Sequence, residues 1–238
     1  MIDASTFANA YHSFWNSQTP MCEHFVRRVN LEGLRRFASP VVTREQSKRR
    51  ALIAEYAFSL FVALRIGSGI FQPKKQRSEL EQEAWRAARS RLAPYVSRGV
   101  DLDGAFNEEE RVEVEAIFSR LTGFFARSKA PLFLRPVFAG CGYVDASEGD
   151  AVLGGTIYEI KTVERPFRSS DVRQVITYAA LNSKSHQYLV NKIGLLNPRS
   201  GKFCSFDFEF VCAEIAGTSA QELFMTIIDA ISSGEISR

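Results

Sequence analysis

Through most of the first 130 residues the apolar positions recur with the spacing of helices. After Pro131 they alternate or gather into short unbroken runs, as strands do. Residues 44–66 open polar and turn apolar on nearly every side, which predicts a buried helix. Residues 78–96 predict a second helix, with Ser78 and Glu81 in capping-box spacing and a stop near Pro94. Residues 107–126 predict a third, capped by Asn107 and Glu110, with Val114, Ile117, Leu121 and Phe124 as its buried stripe. Residues 131–144 read as strand, and Gly154-Gly155 reads as the turn of a hairpin that follows. A helix is predicted from about Ser170. Two strands then flank the turn at 197–201, the second carrying Phe206, Phe208 and Phe210 on one face. A closing helix over 219–232 has Ser219 and Glu222 as its capping box. The pattern predicts an α/β (α+β) chain: a mainly helical region over 1–130, then an α/β core over 131–238. No internal repeat or low-complexity tract interrupts it.

Composition adds limits. The 238 residues are 45% hydrophobic and 24% charged, enough for a sizeable core. No apolar run is long enough for a membrane span, and no basic leader precedes an apolar stretch at the start. A cytoplasmic location and no membrane partner are therefore expected. Cys22, Cys141, Cys204 and Cys212 show no C-x-x-C spacing, so neither a zinc ribbon nor a disulfide framework is expected. They read as small buried hydrophobes. The net charge of +3 is unevenly placed. Residues 1–100 hold 16 Lys and Arg against 8 Asp and Glu, and residues 101–238 hold 14 against 19. A basic half beside an acidic half suits either a solvated surface or a polyanion-binding face next to a metal site.

The hairpin changes the picture most. Counting outward from Gly154-Gly155 pairs Leu153 with Thr156, Val152 with Ile157 and Ala151 with Tyr158, so Asp150 faces Glu159. Side chains alternate along a strand, so Lys161 projects on the same face. Opposed carboxylates ~5 Å apart repel one another. One reading is a Glu–Lys pair at the hydrated end of a sheet, with Asp150 capping the strand start. The other is a cation held between the acids, for which oxygen ligands suit Mg²⁺ or Mn²⁺.

Asp150, an eight-residue gap and Glu159-Ile160-Lys161 resemble the signature of the PD-(D/E)XK nuclease superfamily. In the following helix, Gln174 and Tyr178 resemble the Q-x-x-x-Y element of its RecB-like branch, and an i, i+4 pair lies on one helix face. The resemblance covers about residues 145–182. It implies a restriction-endonuclease-like core, a mixed central sheet flanked by helices, preceded by a helical N-terminal half. It also implies Mg²⁺- or Mn²⁺-dependent cleavage of DNA, with Asp150, Glu159, Lys161, Gln174 and Tyr178 as the catalytic set. Asp150 and Glu159 would be metal ligands, joined by an acid from an upstream helix. Glu55 in "ALIAEYAFSLFVAL" is the candidate for that acid, since a carboxylate in so apolar a helix needs a partner. Glu113 and Glu115, in an acidic run expected to be solvated, are weaker candidates.

Two departures from the branch stand out. The cysteine spacing does not match its iron–sulfur members, so no such cluster is expected. Gly149 stands where the signature has proline, a position that tolerates change. Arg44, Lys48, Arg49, Arg50, Lys74, Lys75 and Arg77 are the candidate phosphate contacts. No G-x-x-x-x-G-K-[ST] is present; the resemblance implies protein partners, as in repair or anti-phage defence. The competing expectations are RNA as the substrate, a catalytically inactive nucleic-acid-binding or scaffold subunit of the same fold, and a helical interaction protein.

Overall fold

A computed structural model describes residues 1–42, 48–67, 76–95 and 101–234. The chain divides into two compact units. A sheet unit holds Met1–Phe37, Ser128–Asn197 and Lys202–Arg238, and a helical unit holds Ala38–Arg127 and Pro198–Gly201. The boundary expected near residue 131 is therefore corrected. The first 37 residues belong with the sheet, and the helical unit is inserted between them and the rest of it.

The sheet unit is mixed α/β. Strands β1 (Arg35–Arg36), β2 (Leu132–Leu134), β5 (Ala151–Leu153), β6 (Thr156–Ile160), β7 (Lys192–Asn197) and β8 (Lys202–Asp207) form one sheet in the order β1-β8-β7-β6-β5-β2. Strands β6 and β7 are parallel, and every other pair is antiparallel. Strands β3 (Val137–Phe138) and β4 (Ser147–Glu148) form a separate ribbon. The run 131–144 breaks into two short strands because Arg135 takes a left-handed φ of 51° and Pro136 has no N–H to donate.

Helix α7 (Ser169–Ser185) packs on β6 and β7, and nearly every residue from Ser169 to Asn182 is buried. That is why its sequence is apolar on more than one face. Helices α1 (Ala4–Ala10) and α3 (Cys22–Arg28) pack on α7, and α2 (His12–Gln18) follows α1. Trp15 is fully buried and donates its indole N–H to Phe7 O at 2.9 Å. The N-terminus is tied to the β3–β4 region through Ile2 N–H to Tyr143 O (3.0 Å) and Ala4 N–H to Ser147 Oγ (3.0 Å).

The strand expected through Phe210 ends at Asp207, and Phe208–Ala216 forms helix α8. Phe208, Val211, Cys212 and Ile215 lie at helical spacing and are buried, whereas Phe210 is 45% exposed. The alternating phenylalanines imitated a strand across a helix start. Helix α9 (Ala220–Ser233) has the expected box: Glu222 N–H donates to Ser219 Oγ at 3.2 Å, and Ser219 N–H to Glu222 Oε2 at 3.1 Å.

The helical unit consists of α4 (Arg50–Gly67), α5 (Arg77–Leu92) and α6 (Glu108–Phe125), with α4 packed on both others. Its core includes Leu52, Ile53, Phe61, Leu80, Ile117 and Leu121. The start of α5 is corrected: Gln76 rather than Ser78 is the N-cap, and Glu79 Oε2 accepts from Gln76 N–H at 3.1 Å. The box at α6 is as expected, with Glu110 N–H donating to Asn107 Oδ1 at 2.8 Å. No helix among the described residues is long and apolar enough to cross a membrane.

Candidate functional site

The hairpin has the register counted from its turn: Leu153 pairs with Thr156, Val152 with Ile157 and Ala151 with Tyr158. Gly154 and Gly155 both take positive φ, 54° and 83°, as a type I′ turn requires. Asp150 lies one step beyond the ladder. Its Oδ2 accepts a 2.6 Å hydrogen bond from the backbone N–H of Ile160, between Glu159 and Lys161. Its own carbonyl accepts from Arg135 N–H at 2.9 Å, so the strained Arg135 turn fixes the strand start.

Glu159 is 4% exposed near the end of the central strand β6, flanked by Tyr158 and Ile160. Its Oε1 lies 2.7 Å from Lys161 Nζ. Its Oε2 is buried and has no hydrogen-bond partner among the described residues. Burial pushes the Glu159 carboxyl above its ordinary value, with the Lys161 ammonium pulling the other way. Burial also acts to lower the pKa of Lys161, but Glu159, Asp171 and Asp150 together hold the ammonium above its ordinary value. Lys161 is therefore a fixed cation at neutral pH.

From Lys161 a chain of hydrogen bonds runs into α7. The ammonium donates to Gln174 Oε1 at 3.1 Å, Gln174 Nε2 donates to Tyr178 Oη at 2.8 Å, and the Tyr178 hydroxyl donates to Glu148 O at 3.0 Å. Burial, then the nearby Glu159 charge, raises the Tyr178 phenol, so it stays a neutral donor. Its ring stacks on Phe138, with centroids 5.0 Å apart. Asp150, Glu159, Lys161, Gln174 and Tyr178 thus come together at one end of the sheet.

Two further residues belong to this cluster, and sequence patterns did not point to them. Asp171 is 2% exposed, with Oδ1 3.8 Å from Lys161 Nζ. It binds Arg165 with two hydrogen bonds, Nη1 to Oδ2 at 2.8 Å and Nη2 to Oδ1 at 3.1 Å. Asp171 also accepts from Arg168 N–H at 2.9 Å, so it caps the first turn of α7 from the N3 position. An acid in the first turn of α7 was the one available signal for it, and Arg165 carried none.

Gly149 turns out to be tightly placed. A Cβ there would lie 2.9 Å from the Phe138 ring, and its N–H donates to Pro136 O at 2.8 Å. The expected tolerance at this position is corrected: neither the signature proline nor a larger residue fits without displacing the ring that packs on Tyr178.

Glu55 lies in the helical unit. Its Oε1 accepts from Ser59 Oγ at 3.1 Å and lies 3.9 Å from Arg91 Nε, so it has partners within its own unit. Glu113 is corrected from solvated to buried: it forms an ion pair with Arg199, both side chains being under 5% exposed, while Glu115 is exposed. No group of three or more His, Cys, Asp or Glu among the described residues is arranged to hold a metal ion.

Arg44, Lys74 and Lys75 lie outside the described residues. Lys48 is exposed, Arg50 is half-buried, and Arg77 pairs with Glu81 at 2.9 Å. Arg49 is engaged inside the helical unit, donating to Glu110 Oε2 (3.2 Å) and Ala105 O (3.1 Å), with its guanidinium over Phe106.

No protein-family model, no curated protein and no solved structure matches this chain. Its site is therefore read from its own geometry. A cavity of about 700 Å³ lined by His186, Asn191, Asp207 and Phe224 opens at the other end of the sheet. Strands β6 and β7 run parallel with Thr156 beside Lys192, so that cavity is remote from Lys161.

Cys22, Cys141, Cys204 and Cys212 are free and buried, as expected. Burial pushes Cys22, Cys204 and Cys212 up to about 12.

Proposed function

We propose that this protein is a metal-dependent nuclease that hydrolyses DNA phosphodiester bonds. The observation that carries the reading is Glu159: a carboxylate buried in a sheet, one oxygen on Lys161 and the other without a partner. A buried charge left half-satisfied is costly. An oxygen-binding cation would satisfy it. Asp150 and Glu159 fit Mg²⁺ or Mn²⁺, because Mg²⁺ keeps several waters and needs one or two carboxylates besides substrate phosphates. Such an ion lowers the pKa of bound water and neutralises charge on the phosphate.

The chain's own groups supply the rest. Lys161 is held cationic by three acids, so it stabilises negative charge developing on the phosphate and does not act as a base at neutral pH. Gln174 fixes the direction of that ammonium, and Tyr178, anchored on Glu148 O, fixes Gln174. Burial of Glu159 keeps water from screening these charges. Exposed Lys48 and Arg77 in the helical unit are proposed as further phosphate contacts. Protein partners, in repair or in anti-phage defence, belong to the same proposal.

The test is cleavage of single- and double-stranded DNA with Mg²⁺ or Mn²⁺ against EDTA, with RNA alongside. Lys161→Ala and Asp150→Ala are each expected to lower the rate by about 10² or more. Rates equal to wild type in both variants would refute the proposal. One observation favours a second reading, a nucleic-acid-binding subunit without catalysis: among the described residues no group of three or more His, Cys, Asp or Glu is arranged to hold a metal ion. Calorimetric titration separates the two, since that subunit would bind DNA and show no heat with Mg²⁺ or Mn²⁺.

A further inference from the structure

We infer that Arg165 forms a second phosphate site beside Lys161, reading the nucleic-acid strand next to the bond that is cut. The inference rests on the nuclease reading and specifies how the strand is held. A guanidinium carries five N–H bonds in one plane. Asp171 occupies the end formed by Nη1 and Nη2, at 2.8 and 3.1 Å, and Pro166 O accepts from Nη1 at 2.9 Å. The other edge, Nε–H with the outer Nη2–H, has no partner among the described residues. The side chain is 29% exposed, so solvent or a ligand reaches it. An open fork of two parallel N–H bonds is the geometry that binds a phosphate with two hydrogen bonds.

Asp171 is what makes this a site rather than a surface arginine. It is 2% exposed and fixed by the Arg168 N–H at 2.9 Å, so it cannot swing with its partner. The same oxygen, Oδ1, lies 3.1 Å from Arg165 Nη2 and 3.8 Å from Lys161 Nζ. The two cations are therefore no more than about 7 Å apart, with one rigid carboxylate between them. Glu159 and Gln174 also hold Lys161, at 2.7 and 3.1 Å. Two cations locked at this spacing fit neighbouring phosphodiesters of one strand, or one phosphodiester and a terminal phosphate.

The experiment measures affinity in EDTA, so that it needs no cleavage. Fluorescence anisotropy with a 3′-labelled 20-nucleotide single strand, with and without a 5′-phosphate, gives Kd across a KCl series. Arg165→Gln is expected to weaken binding about tenfold at low salt. It should also flatten the slope of log affinity against log salt by roughly 0.7, one phosphate contact on a single strand. Arg165→Lys should restore the slope but only part of the affinity, because lysine has no fork. A loss that appears only with the 5′-phosphorylated strand assigns the site to a terminal phosphate, and an equal loss with both assigns it to an internal one. If Arg165→Gln unfolds because Asp171 is left unpaired, the Arg165→Gln/Asp171→Asn double variant removes that charge and carries the same measurement. Wild-type affinity and slope in the folded variant would overturn the site. Wild-type cleavage with Mg²⁺ is scored separately. Binding that depends on Arg165 without any cleavage would end the nuclease reading and leave the phosphate site standing. Cleavage with no dependence on Arg165 would do the reverse.

Discussion

At the residue scale, the site is a set of charges that each need the others. Removing the Lys161 ammonium leaves Glu159 buried without its cation, and breaking such a pair costs about 3 kcal/mol. Lys161→Met should lower the urea midpoint accordingly. Glu159→Gln should lower it by less, since Asp171 still lies 3.8 Å from the ammonium, and the double variant should recover most of the Lys161→Met loss. A double variant as unstable as Lys161→Met alone would mean the pair is not what holds the two side chains. The pH dependence follows from the same geometry. Folding raises the Lys161 pKa above 10.5. Its contribution is complete below 10.5 and is lost as pH rises through the higher folded value. Alkaline melts of the wild type should show that loss, and Lys161→Met should not. Burial raises Glu159 above 4.5, so folding favours its protonated form and that contribution disappears as pH rises through the folded value. The form that can bind a metal is the ionised one. Calorimetric Mg²⁺ affinity should therefore fall away on acidification at a pH above 4.5, and Glu159→Gln should show no Mg²⁺ affinity to lose.

At the scale of elements, the hairpin was legible because a Gly-Gly turn and a period of two leave one register that keeps Ala151, Val152 and Ile157 inside. Gln174 and Tyr178 were legible for a similar reason, since a spacing of four fixes a shared helix face whatever surrounds it. Asp171 was not legible, because a short acid in a first helical turn has a sufficient local explanation as a cap. Helix α8 was hidden because Phe206, Phe208 and Phe210 alternate, while Val211, Cys212 and Ile215 that complete the helical stripe come later. Helices α1 to α3 are seven residues each, too short to show a periodic stripe, and their burial comes from packing around α7. The tight placement of Gly149 depends on Phe138, eleven residues away, which no local pattern reveals. Gly149→Ala should lower stability by about 1–3 kcal/mol, the range for overpacking a full core. By pushing Phe138 against Tyr178 it should also lower the cleavage rate without changing Mg²⁺ affinity. An unaltered thermal midpoint would show that the ring yields freely.

At the scale of the molecule, the division into two units was the least legible feature. A discontinuous unit is built from pairings between distant segments, such as Arg35 with Phe203, and a two-residue strand leaves no trace in composition. Each unit nevertheless carries its own core and its own tryptophan, Trp15 in the sheet unit and Trp85 in the helical unit. Units with separate cores can unfold separately. The helical unit contains the buried Arg199–Glu113 pair, and Arg120 Nη1 donates to Pro198 O at 2.9 Å and Arg199 O at 3.0 Å. Arg199→Met strands a buried carboxylate and should destabilise that unit by about 3–5 kcal/mol. In a Trp85→Phe background Trp15 is the sole tryptophan, buried and hydrogen-bonded to Phe7 O. Adding Arg199→Met should then move the far-ultraviolet circular dichroism transition to lower urea while leaving the Trp15 fluorescence midpoint in place. Equal shifts of both signals would mean that the two units fold as one cooperative body, and that the Arg199–Glu113 pair supports the candidate site as well as its own unit.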